Sequence, residues 1–157
     1  MNKELQVGDT APTFSALAVG GAYGEGQMVS LADLRGQTVV LYFYPKDATP
    51  GCTMQACALR DEWAQFAGKA AIFGVSVDSA AKHAKFIAKR ALPFPLLVDE
   101  SHAIMDAYGV WVEKSMVGVK YMGTERTTFA IAPDGKIQAI LRKVKPAAHV
   151  ELLLAAL

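Results

Sequence analysis

Continuous apolar runs alternate along the chain with segments in which apolar residues recur every three or four positions. The runs predict buried strands and the spaced segments predict amphipathic helices, an alternation typical of an α/β layer architecture. Residues 38–44 are mostly β-branched or aromatic, which suits a central strand covered on both faces. The other predicted strands are residues 14–19 and 28–31, which pair as an N-terminal β-hairpin, and residues 71–77, 96–98, 127–131 and 137–141.

Four helices are predicted between and after these strands. The pattern therefore predicts a central sheet with helices on both faces. Residues 117–123 are expected to form an irregular hairpin. Met116, Tyr121 and Met122 are expected to pack within this loop, with a substrate or partner surface as the alternative. The predicted helices run from Cys52 to about Gly68, from the N-cap Ser79 to about Lys89, over residues 101–108 and over residues 147–157.

Length and charge narrow the class of protein. A chain of 157 residues is long enough for one domain, expected over residues 1–157, with a core that needs no disulfide. A net charge of +1 gives no reason to expect nucleic acid or an anionic membrane as a partner. Residues 1–9 lack the apolar core of a secretory signal, and no window reaches the ~18 apolar residues of a membrane span. A cytoplasmic protein is expected.

The chain has two cysteines, Cys52 and Cys57. In a reducing compartment such a close pair is more often catalytic or metal-binding than structural, and a disulfide across so short a loop constrains the unfolded chain little. The three histidines, His83, His102 and His149, do not have the spacing of a zinc site with these cysteines. No metal and no cofactor are predicted.

The residues before Cys52 favour a reactive thiolate. Thr49, Pro50 and Gly51 place Cys52 at the start of a helix, where unpaired N–H groups and the helix dipole stabilise negative charge. Gly51 allows a ligand to approach the backbone closely, and the Thr49 hydroxyl can bind a ligand or the sulfur, or simply cap the helix. Lys46 and Asp47 are expected to be solvated loop residues, with contact to a substrate or partner as the alternative.

A thiolate that breaks a bond in a substrate needs a second group. As that bond breaks, the leaving atom gains negative charge, which a fixed cation stabilises. A guanidinium stays charged and presents donors in a rigid fork, and Arg126 is the candidate. On the residues alone, a surface position or a structural ion pair for Arg126 is an equal alternative.

The cysteine spacing predicts a conformational step. Five residues of α-helix separate two Cα atoms by roughly 8–9 Å, whereas a disulfide needs them within about 7 Å. Cys52 and Cys57 therefore cannot bond within one intact helix. If the two sulfurs are to form a disulfide, the first turns of the helix are expected to unwind so that Cys57 can reach Cys52.

Residues 43–53, which read FYPKDATPGCT, closely resemble the active-site loop of peroxiredoxins with its Pro-x-x-x-Thr-x-x-Cys spacing. The likeness extends over nearly the whole chain, and the second cysteine five residues on is similar to the peroxiredoxin Q group, also called bacterioferritin comigratory proteins. It implies a thioredoxin-like fold. It further implies an active site of Pro45, Thr49, Cys52 and Arg126, with Cys57 as the resolving cysteine.

One residue departs from that resemblance, because Gln55 stands where relatives commonly carry Glu. The implied function is reduction of hydrogen peroxide and organic hydroperoxides, with recycling by thioredoxin or a glutaredoxin and with no need for a dimer. A thioredoxin-type oxidoreductase would need Cys-x-x-Cys, which the chain lacks. A redox sensor or holdase would use the same cysteine pair, and repeated turnover would distinguish it from a peroxidase.

Overall fold

The computed structural model describes residues 4–157, so the first three residues of the segment tested for a secretory signal lie outside it. No helix in the described range is long and apolar enough to cross a membrane. The strands are β1 (Ser15–Val19), β2 (Gln27–Ser30), β3 (Val39–Phe43), β4 (Ala71–Ser76), β5 (Leu96–Val98), β6 (Trp111–Met116), β7 (Val119–Thr124), β8 (Thr128–Ile131) and β9 (Ile137–Leu141). The helices are α1 (Pro50–Asp61), α2 (Trp63–Phe66), α3 (Ala80–Arg90), α4 (Ala103–Ala107) and α5 (His149–Ala156).

Seven strands form one mixed sheet in the order β2-β1-β5-β4-β3-β8-β9. The strands β5, β4 and β3 run parallel, and the remaining pairs are antiparallel. The predicted N-terminal hairpin is present as β1 and β2, in register from Ser15 opposite Ser30 to Ala18 opposite Gln27. The mixed sheet of the predicted thioredoxin-like fold is therefore confirmed.

The central strand β3 is buried along its whole length, as its continuous apolar sequence predicts. Successive side chains of a strand point to opposite faces. Val40 and Tyr42 therefore enter the core formed with α1, α3 and α5, while Leu41 and Phe43 enter the core formed with α4. Helices cover both faces of the sheet, and the site described below lies on the α1 face.

The prediction of one continuous helix from Cys52 to Gly68 is wrong. The helix α1 ends at Asp61, and Glu62 leaves the helical region with φ −105° and ψ 16° before the short α2 begins. Phe66 is fully buried, and the Trp63 ring lies 5.7 Å from that of Phe94. The apolar spacing continues across the break, so periodicity could not reveal it.

Residues 111–124 form a regular hairpin, β6 with β7, rather than an irregular one. Its turn has positive φ at both Val117 (51°) and Gly118 (78°), which is the requirement of a type I′ hairpin turn. The expected packing of Met116, Tyr121 and Met122 into a loop is wrong, because these side chains are exposed on the hairpin. Every other predicted element is found, with ends that differ by two residues or fewer.

Candidate active site

Cys52 lies in the first turn of α1, directly after the loop that leaves the carboxyl end of β3. The helix begins at Pro50, and Thr49 is its N-cap residue, with extended backbone angles of φ −78° and ψ 155°. Cys52 is 2% exposed. Cys57 is half-buried in the same unbroken helix, and both thiols are free. The predicted start of a helix at the thiol is therefore found.

Arg126, in the segment between β7 and β8, contacts the Cys52 thiol. Its Nη2 lies 3.4 Å from the Cys52 sulfur, and its Nη1 donates to the Gln55 side-chain oxygen at 2.5 Å. No ion pair within residues 4–157 involves Arg126. The guanidinium therefore lies against a thiol and a neutral amide, and its charge is not neutralised by a carboxylate there.

Gly51 allows this approach. A Cβ atom placed on Gly51 would lie 3.3 Å from Nη2 of Arg126 and 3.5 Å from the ring of Pro146. The separation from Arg126 is tighter than an ordinary van der Waals contact, whereas that from Pro146 is an ordinary one. The glycine predicted for close backbone approach thus lies directly beside the guanidinium.

Thr49 does not cap α1 with its side chain. Its hydroxyl donates instead to the backbone carbonyl of Lys46 at 2.8 Å, and its own carbonyl accepts from the N–H of Thr53. The lone pairs of that hydroxyl remain available as acceptors. Pro45 is half-buried at the start of the same loop, immediately after Tyr44.

Asp47 is not the solvated loop residue that the sequence predicted. Its side chain is 5% exposed and accepts from the Tyr44 hydroxyl at 2.6 Å, while His83 Nδ1 lies 2.6 Å from its other oxygen. Its backbone N–H donates to Asp78 at 2.8 Å, and Asp78 also accepts from Ser76 at 2.6 Å. Through Asp47, the loop before Cys52 is thus hydrogen-bonded to residues just after β3 and β4 and to α3.

Ligand atoms of Asp47, Asp78 and His83 lie within 4.8 Å of one another, a spacing that a metal ion could use. Hydrogen bonds already occupy the histidine, however. Its Nε2 faces the carbonyl of Leu97 at 2.8 Å, so both ring nitrogens face acceptors when Asp47 is ionised. Both ring nitrogens are therefore engaged by oxygen atoms of the protein, and neither faces an open position for a metal ion. The cluster is best described as a buried Asp47–His83 pair.

Three buried polar atoms near Cys52 have no hydrogen-bond partner within residues 4–157, namely Tyr42 Oη, Gln55 Nε2 and His149 Nδ1. Buried polar groups are normally paired, by protein groups or by ordered water. Nothing in the sequence of β3 distinguishes Tyr42 from its apolar and aromatic neighbours.

A Cβ atom at Gly74 would lie 2.8 Å from the Tyr42 hydroxyl, which explains the glycine in the neighbouring strand.

His149 is the clearest residue that the sequence did not assign to the site. It begins α5, is fully buried, and its Nε2 lies 2.9 Å from the Thr128 hydroxyl. Burial, and then the charge of Arg126, lower the pKa of His149 to about 4. His149 is therefore neutral near pH 7 and adds no second cation beside Arg126.

Comparisons with known proteins place the chain in a family. The AhpC/TSA family matches residues 7–140. Peroxiredoxin Bcp of Bacillus subtilis is 48% identical over 147 residues, which cover 93% of this chain and 90% of that protein. Peroxiredoxin Bcp of Escherichia coli is 41% identical over 151 residues, which cover 96% of this chain and 94% of that protein.

Solved structures give the same result. A structure of the bacterioferritin comigratory protein of Xanthomonas campestris, studied for alkyl peroxide reduction activity, has a TM-score of 0.83 at 37% identity and covers 91% of this chain and 88% of that one. A mutant of PrxQ from Xylella fastidiosa has a TM-score of 0.83 at 33% identity, with coverage of 98% and 96%.

Proposed function

The chain belongs to the AhpC/TSA family of peroxiredoxins, which are thiol peroxidases, and we propose that its peroxidatic cysteine is Cys52 and its resolving cysteine Cys57. The observation that carries the proposal is the 3.4 Å approach of Arg126 to a thiol in the first turn of a helix. A cation and unpaired backbone donors there favour the thiolate, and they also favour an oxygen that gains negative charge.

In the first step, the Cys52 thiolate attacks one peroxide oxygen and the O–O bond breaks. The sulfur is oxidised to a sulfenic acid, and the other oxygen leaves and takes a proton to become water or an alcohol. Arg126 and the backbone N–H groups at the start of α1 stabilise the leaving oxygen. Thr49 binds the peroxide through its free lone pairs, Gly51 lets it approach the backbone, and Pro45 shapes the loop.

In the second step, the Cys57 sulfur displaces the sulfenic oxygen of Cys52 as water, and a disulfide forms. Because both cysteines lie in one unbroken helix, the first turns of α1 must unwind before the sulfurs can meet. A dithiol protein then reduces the disulfide through a mixed disulfide, and its own two thiols become oxidised. Thioredoxin is the proposed reductant, with a glutaredoxin as the alternative.

The remaining proposals concern the protein as a whole. Residues 1–157 form a single domain that works in the cytoplasm as a monomer, since an intramolecular disulfide needs no partner subunit. Hydrogen peroxide and organic hydroperoxides are the proposed substrates. A redox sensor or holdase is the alternative function, because the same cysteine pair would serve it.

The experiment is peroxide consumption by the purified protein with a thioredoxin recycling system, beside Cys52→Ser and Cys57→Ser. We expect no activity from Cys52→Ser, and no thioredoxin-supported turnover from Cys57→Ser. Full turnover of Cys57→Ser would make the protein a one-cysteine peroxidase. Absence of turnover in the wild type, with a single oxidation per molecule, would favour the sensor.

A further inference from the structure

A cleft of about 370 Å³ lies between the loop before α1 and the exposed face of α3. Basic side chains dominate its wall, and Ala48 and Phe86 complete the apolar part. It is called the basic cleft below. Its cations are Lys46, Lys82, Lys85, Lys89 and Arg90.

Cations outnumber carboxylates in the basic cleft by five to two. None of its five cations takes part in an ion pair within residues 4–157. The carboxylates of Asp47 and Asp78 offset part of the charge, but their hydrogen bonds are with Tyr44, His83, Ser76 and the loop backbone rather than with the cations. Since the whole chain carries a net charge of only +1, this concentration of cations is a local feature.

The basic cleft runs beside the cysteine-bearing helix. At one end Lys46 and Ala48 belong to the loop that leads to Cys52. At the other end the carbonyl of Arg90 accepts from Arg60, three residues beyond Cys57, at 2.7 Å. The basic cleft therefore adjoins the chain on both sides of the cysteine pair, at the loop before Cys52 and at Arg60 beyond Cys57.

The lysines of the basic cleft form an extended row, which fits the surface of a protein better than a small anion. Lys82, Lys85 and Lys89 are exposed and follow one side of α3 at spacings of three and four residues. Seven residues of α-helix span about 10.5 Å, and the loop lysine extends this row. A row of that length matches several carboxylates on a partner surface.

We propose that the basic cleft is the docking surface for a dithiol reductant protein whose own surface is acidic. The inference rests on the proposed function, because it concerns the partner that reduces the Cys52–Cys57 disulfide. Complementary charge accelerates association and orients the partner, and its effect falls as ionic strength rises.

The test compares two reductants of the oxidised protein: an acidic thioredoxin and the uncharged small dithiol dithiothreitol. The variant is the triple charge reversal Lys82→Glu/Lys85→Glu/Lys89→Glu, at exposed positions where Glu is a good helix former. We expect reduction by thioredoxin to slow at least about tenfold at low salt and to lose its salt dependence. Reduction by dithiothreitol and oxidation of Cys52 by peroxide should be unchanged.

The matched control is Lys69→Glu/Lys120→Glu/Lys136→Glu, which changes the net charge equally at exposed lysines outside the basic cleft. Equal slowing in both triple variants would assign the effect to net charge and overturn the proposal, as would unchanged reduction by thioredoxin in the cleft variant. If the cleft variant does not fold, Lys82→Gln/Lys85→Gln provides the same test with a smaller expected loss.

Two further outcomes are separable. Saturable binding of inorganic phosphate, lost in the cleft variant while reduction by thioredoxin is unaffected, would identify a small-anion site and overturn protein docking. Failure of peroxide to oxidise the wild type would refute the proposed peroxidase function, whereas docking is measured in the separate reduction step.

Discussion

The two segments that flank Cys52 are held in different ways. The loop before it is fastened by buried charge and directional hydrogen bonds, with Asp47 bound to Tyr44, His83 and Asp78. The helix after it has no side-chain cap and packs against α5 and the turn before α5. Its directional side-chain contacts at the site are those of Cys52 and Gln55 with Arg126, and the amide nitrogen of Gln55 is buried without a partner within the described residues.

The difference matches what each segment must do in the proposed cycle. The loop sets the position of Thr49 and of the first helical N–H groups, so a fixed geometry benefits peroxide attack. The helix must unwind before Cys57 can reach Cys52. Unwinding breaks the apolar contacts of α1 and the hydrogen bonds of Cys52 and Gln55 with the half-buried Arg126, but it separates no buried carboxylate from its partners, so we expect it to cost less than unfolding the loop.

The largest expected effect comes from removing the anchor of the loop. Asp47→Ala leaves the buried His83 without its carboxylate and the Tyr44 hydroxyl without its acceptor. Breaking a buried ion pair by deleting one partner typically costs about 3–5 kcal/mol. We expect a loss of that order in the free energy of unfolding of the reduced protein, measured by urea denaturation, together with slower oxidation of Cys52.

Asp61→Ala is the matched control, because Asp61 also pairs with a cation, Arg60, at 3.0 Å but is largely exposed. An exposed pair contributes about 0–1 kcal/mol. If the two alanine variants lost similar stability, the loop would not be held by its buried charge and the contrast between the segments would fail.

Lowering the pH should reduce the free energy of unfolding through protonation of His149, whose ring packs against the Tyr42 ring. The folded pKa of His149 is about 4, below the ~6.5 of an unfolded histidine. Between pH ~6.5 and pH ~4 the unfolded chain binds a proton at this histidine and the folded protein does not. The free energy of unfolding is therefore at its full value above pH ~6.5 and falls as the pH is lowered toward ~4. The loss reaches up to about 3 kcal/mol.

Urea denaturation at pH 7 and pH 4.5 checks this, with His149→Phe as the variant that cannot titrate. Carboxylates elsewhere titrate in both proteins, so the informative quantity is the difference between their two losses. We expect the wild type to lose about 2–3 kcal/mol more than the variant. Equal losses would show that His149 is not held neutral by its surroundings.

The parts of the fold that local sequence determines were predicted well. The buried run in β3 and the capped helix α3 carry strong local signals, and both were placed to within one residue. The strand β6 was missed because Trp111–Met116 mixes apolar, charged and small residues without alternation. Its turn uses Val117 at positive φ, which is rare for a β-branched residue.

The site divides in the same way. Thr49, Gly51 and Cys52 are contiguous, so their chemistry could be derived from spacing alone. Arg126 contacts a thiol 74 residues away, so the residues alone offer it as a candidate cation but do not place it at the thiol, and the family resemblance supplies that placement. The contact of Asp47 with His83 spans 36 residues and has no local signature, so local sequence predicts a solvated residue there.

A charge placed on the helix side should slow peroxide attack moderately. Gln55→Glu would put a carboxylate against Arg126, where it competes with the Cys52 thiolate for the guanidinium. We expect oxidation of Cys52 at pH 7 to slow by up to about tenfold, equivalent to ~1.4 kcal/mol. The thiolate absorbance near 240 nm should appear at higher pH. Gln65→Glu, an exposed position with the same charge change, should alter neither measurement.

The smallest expected effect tests the unwinding itself. Met54 lies between the two cysteines and is 55% exposed, so Met54→Gly weakens the helix by about 0.8 kcal/mol with little change to the core. If unwinding limits disulfide formation, that step should accelerate by up to about fourfold while oxidation of Cys52 by peroxide keeps its rate. Stopped-flow tryptophan fluorescence separates the two phases. Ala84→Gly weakens the exposed face of α3 by a similar amount and should leave both phases unchanged. Acceleration in both glycine variants, or in neither, would mean that the stability of α1 does not control the reach of Cys57 to Cys52.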